Sequence, residues 1–449
     1  MIYDLIIIGG GPAGYNAAEK AASNGMQTLL IEAKAVGGVC LNEGCIPTKT
    51  LLYAAKLLDN ARTGHKYGIQ ISGEPTADME AWIARKNKTV KTLTSGVEFK
   101  LKTHGVDVVY ASAVIEGETD EGIRIRAAEQ HYQGRYVLLS TGSDTFIPPI
   151  NGLDSVDYWT SREALDAIDL PKQLVIIGGG VIGMEFASLY NSLQVDVHVV
   201  EMLPEILGGM DAETAAMLRQ TYQKRGITFH LDTKVTQVSP TEVQIEHKGK
   251  ISHLQADRIL LSVGRKANLT GFGLETLGID TTGKGLPVND RMQTTHPRVY
   301  AAGDVTGYSM LAHTAIREGE VAVNNLCGKE DRMSYAAIPG VVYTNPELAG
   351  VGPTEAVLKE AGQIYDVIKL PMAYSGRFVA ENEGGNGLCK LLIDPDGYVL
   401  ACHMMGNPAS ELIVVAGMAI EQHMHVEAFQ KIVFPHPTVG EIFHEGLFM

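Results

Sequence analysis

Two runs of four apolar residues, Leu5-Ile6-Ile7-Ile8 and Leu174-Val175-Ile176-Ile177, break abruptly into glycine. Runs this short, rich in β-branched residues and bounded by turn formers, predict strands buried on both faces of a parallel sheet. The first is followed by a small-residue segment, 15–23, that predicts a helix, and by a strand at 28–31 closed by Glu32. The second is followed by a strand at 195–200 closed by Glu201. Leu51, Leu52, Ala55, Leu57 and Leu58 fall at helical spacing over 50–61, and 78–104 predicts a Lys-rich, exposed helix. Short strands are expected at 106–110, 123–126, 136–140, 258–263 and 299–302, with a linker at 148–152, a turn-rich stretch at 266–295 and a helix at 310–326. From about residue 335 the pattern changes to alternating strands, 340–343, 365–370, 388–393 and 398–404, with a helix of small and apolar residues at 411–423. That region reads as an α+β module on an antiparallel sheet.

The glycines after the two apolar runs share one arrangement. Gly9-Gly10-Gly11-Pro12-Ala13-Gly14 and Gly178-Gly179-Gly180-Val181-Ile182-Gly183 both fit G-x-G-x-x-G, and 23 positions separate Gly9 from Glu32 and Gly178 from Glu201. Glycines let the backbone approach a pyrophosphate at a helix N-terminus, and the carboxylate at the next strand end accepts ribose hydroxyls. Two matched copies predict two bound dinucleotides. Glu201 repels a 2′-phosphate, and Met202-Leu203-Pro204 offers no arginine to bind one, so the second site favours NAD over NADP. A further strand end, Gly303-Asp304, supplies a carboxylate suited to ribose or ribityl hydroxyls.

Length and charge narrow the class. A chain of 449 residues suggests about three domains at roughly 150 residues each. The net charge of −15, without a Lys/Arg-rich run, argues against a nucleic-acid or anionic-membrane surface. No apolar run reaches the roughly 20 residues of a membrane span. The opening residues carry Asp4 and no basic region, so a cytoplasmic protein is expected, where a disulfide is more often catalytic than structural.

Two of the five cysteines, Cys40 and Cys45, are separated by four residues in Gly37-Gly38-Val39-Cys40-Leu41-Asn42-Glu43-Gly44-Cys45-Ile46-Pro47-Thr48-Lys49. Residues five apart on a straight helix are displaced by roughly 7.5 Å along the axis. A bond between them therefore requires a loop or distorted turn, which Gly44 permits. Pro47 suits the first turn of a helix, placing Cys45 at a positive helix end that favours a thiolate. Two unpaired buried thiols are the alternative reading. Cys327, Cys389 and Cys402 are scattered and read as core residues. Near the C-terminus, His436 lies between two prolines with Glu441 following, compatible with a structural histidine or with a base oriented by a carboxylate.

Taken in order, the first fingerprint, Cys-x4-Cys, the second fingerprint, Gly303-Asp304 and His436-Pro437-Thr438 resemble the dimeric flavoprotein disulfide reductases, and most of all their NAD-linked, dihydrolipoamide-oxidising branch. The resemblance covers the whole chain. It implies an α/β fold with two Rossmann-like domains, for FAD (1–147) and NAD (148–266), a central segment completing the FAD domain (267–334) and an α+β dimerisation domain (335–449). FAD contacts are expected from Gly9, Gly11, Pro12, Ala13, Gly14, Glu32, Gly38, Lys49, Thr141, Gly142, Ser143, Gly303, Asp304, Leu311, Ala312 and His313. NAD contacts are expected from Gly178, Gly180, Val181, Ile182, Gly183, Glu201 and Gly264.

By the same resemblance, Cys40 and Cys45 form the redox disulfide, Cys40 meeting substrate and Cys45 facing the flavin. Lys49 and Glu185 act beside the flavin, and His436 with Glu441 serves the partner subunit's disulfide. The implied partners are a second copy of the chain and the lipoyl domains of 2-oxo acid dehydrogenase complexes or the glycine cleavage system. Glu43 and Phe434 depart from the family pattern, replacing a small apolar residue and a second histidine. A glutathione-type reductase would want basic residues near position 202, and a mercuric reductase a C-terminal cysteine pair. A flavin-binding sensor without turnover would not need the Cys40, Cys45 and His436 set.

Overall fold

The strand Ile2–Ile8 pairs in parallel with Thr28–Glu32 on one side and Gln130–Leu139 on the other. Leu5, Ile6 and Ile7 are fully buried, as expected of a strand covered on both faces. This computed structural model describes residues 1–448. The sheet extends in parallel through Asp107–Tyr110 and Val299–Ala301. Gln130–Leu139 also carries an antiparallel meander with Gly122–Ala127 and Ala113–Thr119. These elements belong to one compact unit, Met1–Thr50, Ala84–Phe146 and Gly264–Ser334. Within it the helix Pro12–Ser23 packs on Ala312–Leu326, and the approach is close because position 319 is glycine: a methyl there would stand 2.8 Å from the Ala13 carbonyl oxygen. The helix Met79–Thr103 is largely exposed, anchored by Val97 and Leu101.

The second unit, Leu51–Ile83, Ile147–Val263 and Tyr335–Met449, contains two main sheets. Gln173–Ile177 lies in parallel between Asp196–Val200 and Arg258–Leu261, with Thr228–His230 outermost. An antiparallel meander, Thr233–Ser239, Glu242–His247 and Lys250–Gln255, follows. The other sheet has five antiparallel strands in the order Gly340–Val342, Leu348–Val351, Val399–Met405, Leu388–Ile393 and Asp366–Pro371, one more than the alternation predicted. Helix Ala409–Glu421 packs on two of its three inner strands, Leu348–Val351 and Val399–Met405. Residues 51–83 group here because Leu51, Leu52, Ala55 and Leu58 enter a core with Tyr190, Leu218 and Tyr222. Cys389 and Cys402 are core residues, as expected. Cys327 is not: it is half-buried at a helix C-cap, 3.7 Å from the Met26 sulfur.

A buried ion cluster ties this second unit together. Lys390, 1% exposed, bonds Asp211 at 2.7 Å, Glu213 at 2.8 Å and Glu355 at 3.0 Å, and Asp211 is 4% exposed. The Lys390 hydrogen bond pulls the Glu355 carboxyl down to about 2. Burial alone would raise Asp211, but its bonds to Lys390 and the Thr214 N–H outweigh that and hold it below the ordinary range. Replacing Lys390 with alanine strands a buried carboxylate and is expected to cost about 3–5 kcal/mol, read as an earlier denaturant midpoint. Carboxyls depressed on folding stabilise above their unfolded pKa of about 4 and lose that contribution as pH falls toward 2. Wild-type stability should therefore fall over this acid window, and the Lys390→Met variant should show a flatter profile.

Candidate active site

The two glycine turns fold alike. Gly9 and Gly178 take φ of 104° and 105°, and a side chain there would strike the carbonyl oxygens of Ser140 and Ser262. Methyls on Gly14 and Gly183 would stand 1.9 and 2.0 Å from the Gly9 and Gly178 oxygens, so only glycine admits the helix this close to the strand. Glu32 accepts the Gly10 N–H at 2.6 Å and the Lys34 N–H at 2.7 Å; Glu201 accepts those of Gly179 at 2.7 Å and Leu203 at 2.8 Å. Ser140 and Ser262, which the sequence reading did not assign, donate to the Gly9 and Gly178 carbonyls at 2.8 and 2.9 Å. Their signal was present, since Ser140-Thr141-Gly142 and Ser262-Val263-Gly264 close equivalent strands.

Both turns fit a pyrophosphate. Gly11 and Gly180 are the N-caps of helices Pro12–Ser23 and Val181–Ser192, and neither helix has a side-chain cap. The space in front of Gly180 is open to 4 Å, and a methyl on Gly11 would meet only Gly38. Pro12 and Ala13 form the first turn of one helix, Val181 and Ile182 that of the other. Unfilled N–H groups at a positive helix end are the donors a phosphate needs. Gly264, at φ 114°, is likewise open on the side a Cβ would fill.

A third strand end completes the first unit's pocket of polar groups. Ser143 Oγ donates to Asp304 Oδ2, and Arg265 Nε donates to the same Ser143 oxygen at 2.7 Å. Thr141 Oγ1 donates to the Asn268 carbonyl at 2.9 Å, and the Asn268 N–H donates to the Gly142 carbonyl at 3.0 Å. The Gly303 N–H is taken by Glu318. Leu311 is the N-cap of helix Ala312–Leu326, which also lacks a side-chain cap and carries Ala312 and His313 in its first turn. Arg265 and Glu318 were not foreseen. An acid on the buried stripe formed by Ala315, Gly319 and Ala322 was the available signal for Glu318.

Cys40 lies in the five-residue helix Gly38–Asn42, and Cys45 opens the helix Cys45–Thr63. The break at Glu43 and Gly44 is the distorted turn that the spacing demands. Gly44 acts by size and not by a left-handed torsion: a methyl there would stand 3.0 Å from the Val39 carbonyl oxygen. The cysteine helix is fastened to the first fingerprint. The Gly37 N–H donates to the Gly10 carbonyl at 2.7 Å, and a methyl on Gly38 would stand 2.7 Å from the Gly11 Cα. Asn42 Nδ2 holds the Val36 and Gly38 carbonyls at 3.1 and 2.9 Å.

The side chains of Cys40 and Cys45 are in hydrogen-bonding contact. That contact first, then burial and the neighbouring sulfur's charge, hold the Cys40 proton strongly. The charges of Lys49 and Asp304 act on Cys40 in opposite directions, the lysine favouring the thiolate. Burial raises the Tyr15 phenol, and the charges of the two cysteines add to the shift.

His436 and Glu441 come together in the second unit. Glu441 Oε1 bonds His436 Nδ1 at 2.8 Å and Oε2 accepts the Thr438 N–H at 2.8 Å. The Thr438 N–H first and His436 second hold the Glu441 carboxyl below its usual range, so it is an anion at neutral pH. The imidazole is 81% exposed, beside a cis His436–Pro437 bond. Phe434 packs against Phe429 and His444, with ring centroids 6.2 and 6.3 Å away, and so anchors the segment carrying His436. Glu185 is buried in helix Val181–Ser192 and accepts the Tyr343 N–H at 3.1 Å.

The sequence matches the family model described as pyridine nucleotide-disulphide oxidoreductase over residues 3–319, and that family's dimerisation domain over residues 338–447. The chain belongs to the pyridine nucleotide-disulphide oxidoreductases. Its curated relatives include the dihydrolipoyl dehydrogenase of Thermus scotoductus, 37% identical over 98% of this chain and 95% of that protein. That of Rhizobium etli is 35% identical over 99% of this chain and 97% of its own length. Among solved structures, LpdA from Mycobacterium tuberculosis superposes with a TM-score of 0.90 at 26% identity, covering 99% of both chains. The HOCl-induced flavoprotein disulfide reductase RclA from Escherichia coli gives 0.86 at 26% identity over 100% of both.

Members of this family use FAD and NAD, and the two cradles of this oxidoreductase suit one dinucleotide each. Among the described residues no helix is long and apolar enough to cross a membrane.

Because Gly183 touches the Gly178 carbonyl, Gly183→Ala should open the second turn alone. The expected result is NADH binding weakened tenfold or more with flavin content unchanged, measured by NADH titration and flavin absorbance. Equal loss of both would contradict separate cradles.

Proposed function

We propose that this oxidoreductase is a dihydrolipoyl dehydrogenase, oxidising dihydrolipoamide through a Cys40–Cys45 disulfide with NAD⁺ as final acceptor. The observation that carries the reading is the fastening of the cysteine helix to the first dinucleotide turn through Gly37 and Gly38. It favours turnover over a flavin-binding scaffold, which has no use for a dithiol at that place. We assign 1–147 with 267–334 to FAD, 148–266 to NAD and 335–449 to the contact between two copies of the chain.

His436 acts as the base. With Nδ1 bonded to the Glu441 anion, Nε2 carries the lone pair that takes a proton from the substrate thiol. The resulting thiolate attacks Cys40, breaking the disulfide and releasing Cys45 as a thiolate at the helix N-terminus. The second substrate sulfur then displaces Cys40, so lipoamide leaves and the two electrons stay on the dithiol. The first fingerprint, Gly38, Lys49 and the Ser143–Asp304 group would hold FAD, whose two-electron chemistry would link the dithiol to NAD⁺ held at the second fingerprint. Lys49 and Glu185 are assigned to the charge balance around the flavin.

The exposure of His436 favours a site completed by a second subunit. Val414 and Met418, one turn apart on helix Ala409–Glu421, are also exposed, as is Val433 at 91%. The dimerisation-domain match supports the same reading. Lipoyl domains of 2-oxo acid dehydrogenase complexes or of the glycine cleavage system are the proposed carriers of the substrate.

Purified holoenzyme should reduce NAD⁺ with dihydrolipoamide and leave glutathione disulfide untouched with either NADH or NADPH; the reverse preference would overturn the assignment. His436→Gln should slow the thiol half-reaction about a hundredfold or more while NADH oxidation by ferricyanide stays near wild type. Coexpressed His436→Gln and Cys45→Ser subunits should regain activity in hybrid dimers, because one of the two shared sites is then intact. Hybrids as inactive as both parents would place cysteines and histidine of one site in the same chain.

A further inference from the structure

Three glycine N–H groups at strand ends are held by carboxylates. Glu32 and Glu201 hold Gly10 and Gly179 at 2.6 and 2.7 Å, and both acids were legible as parts of a fingerprint. The third, Glu318, belongs to no motif. Its Oε2 accepts the Gly303 N–H at 2.6 Å, and its side chain is fully buried midway along helix Ala312–Leu326. Glutamate is rarely buried completely without a partner that requires it.

Gly303 ends the strand Val299–Ala301 with φ 84° and ψ −160°, and Asp304 opens a tight turn behind it. The Thr306 N–H returns to the Gly303 carbonyl at 2.9 Å and the Gly307 N–H to that of Asp304 at 3.1 Å. The aim of Asp304 therefore depends on how the Gly303 peptide is held. Glu318 holds it from one side, and the next residue, Gly319, seats the same helix on Ala13 and Ala17 of the first fingerprint helix.

We propose that Glu318 is a positioning residue for the flavin site: by fixing the Gly303 N–H it sets the Asp304 carboxylate against the first fingerprint. This rests on the reading of the first unit as the FAD site. Glu318 acts through Gly303 and Asp304, so its contribution vanishes when Asp304 is gone. A residue that merely fills the helix core would contribute equally with or without Asp304.

The test is FAD affinity of apoprotein prepared from the full-length holoenzyme, followed by flavin fluorescence on reconstitution. Glu318→Gln keeps an acceptor oxygen in place and should bind FAD within about threefold of wild type. Glu318→Ala should bind it roughly ten- to a hundredfold more weakly, the cost of a buried N–H losing a charged acceptor. In an Asp304→Ala background the same change should add less than about threefold, and NADH affinity should be unchanged throughout. If the alanine variant does not fold, Glu318→Asp, which retains the charge but is one methylene shorter, runs the same cycle.

Wild-type FAD affinity in the folded Ala or Asp variant, full additivity with Asp304→Ala, or a glutamine variant as weak as alanine would each overturn the proposal. Wild-type protein that takes up no FAD would instead overturn the flavin reading beneath it.

Discussion

The contact between two glycines fixes where Cys40 and Cys45 stand against the first dinucleotide turn. Gly38 lies against Gly11 so closely that a single methyl would stand 2.7 Å from the opposing Cα, and the Gly37 N–H is bonded to the Gly10 carbonyl beside it. Gly11 caps the helix whose open N-terminus suits a pyrophosphate, and Gly38 begins the helix that carries Cys40. Any side chain at this contact would move the sulfurs away from the dinucleotide. The position of the dithiol is thus set by backbone against backbone, which is stiffer than a side-chain contact.

Around that contact the same device recurs. A glycine N–H at a strand end is taken by a carboxylate, from the adjoining strand ends at Glu32 and Glu201 and from the middle of a helix at Glu318. Charged acceptors make strong bonds to backbone donors, and they leave the helix-end N–H groups for a phosphate. Glu441 divides its oxygens in the same way: one holds the Thr438 N–H and the other bonds His436, the proposed base. The Lys390 cluster has another purpose, satisfying three carboxylates at once so that Asp211 can cap a helix while buried.

The parallel strands and both fingerprints were legible because buried parallel strands read as unbroken apolar runs and because glycine is required where backbones touch. The helix at 78–104 and the strand at 388–393 were found almost to the residue, Met79–Thr103 and Leu388–Ile393. The meander at 233–255 escaped notice, since Lys250–Gln255 is largely exposed and its alternation carries little apolar signal. Leu348–Val351 was missed for its shortness. The paired cysteines and His436 were legible as residues, while the His436–Glu441 contact was one of two readings left open by the segment and was implied by the family resemblance. Arg265 and Glu318 were not legible, because each works through partners distant in sequence: Glu318 is an ordinary helix former until the fold buries it against Gly303.

The central claim is that Cys40 and Cys45 are an electron store coupled to the flavin. Anaerobic reductive titration of the holoenzyme tests it most directly. Wild-type protein should take up two pairs of electrons per subunit, one for the flavin and one for the disulfide, and Cys45→Ser should take up one. A wild-type enzyme that accepts a single pair, with thiol titre unchanged on reduction, would contradict the account.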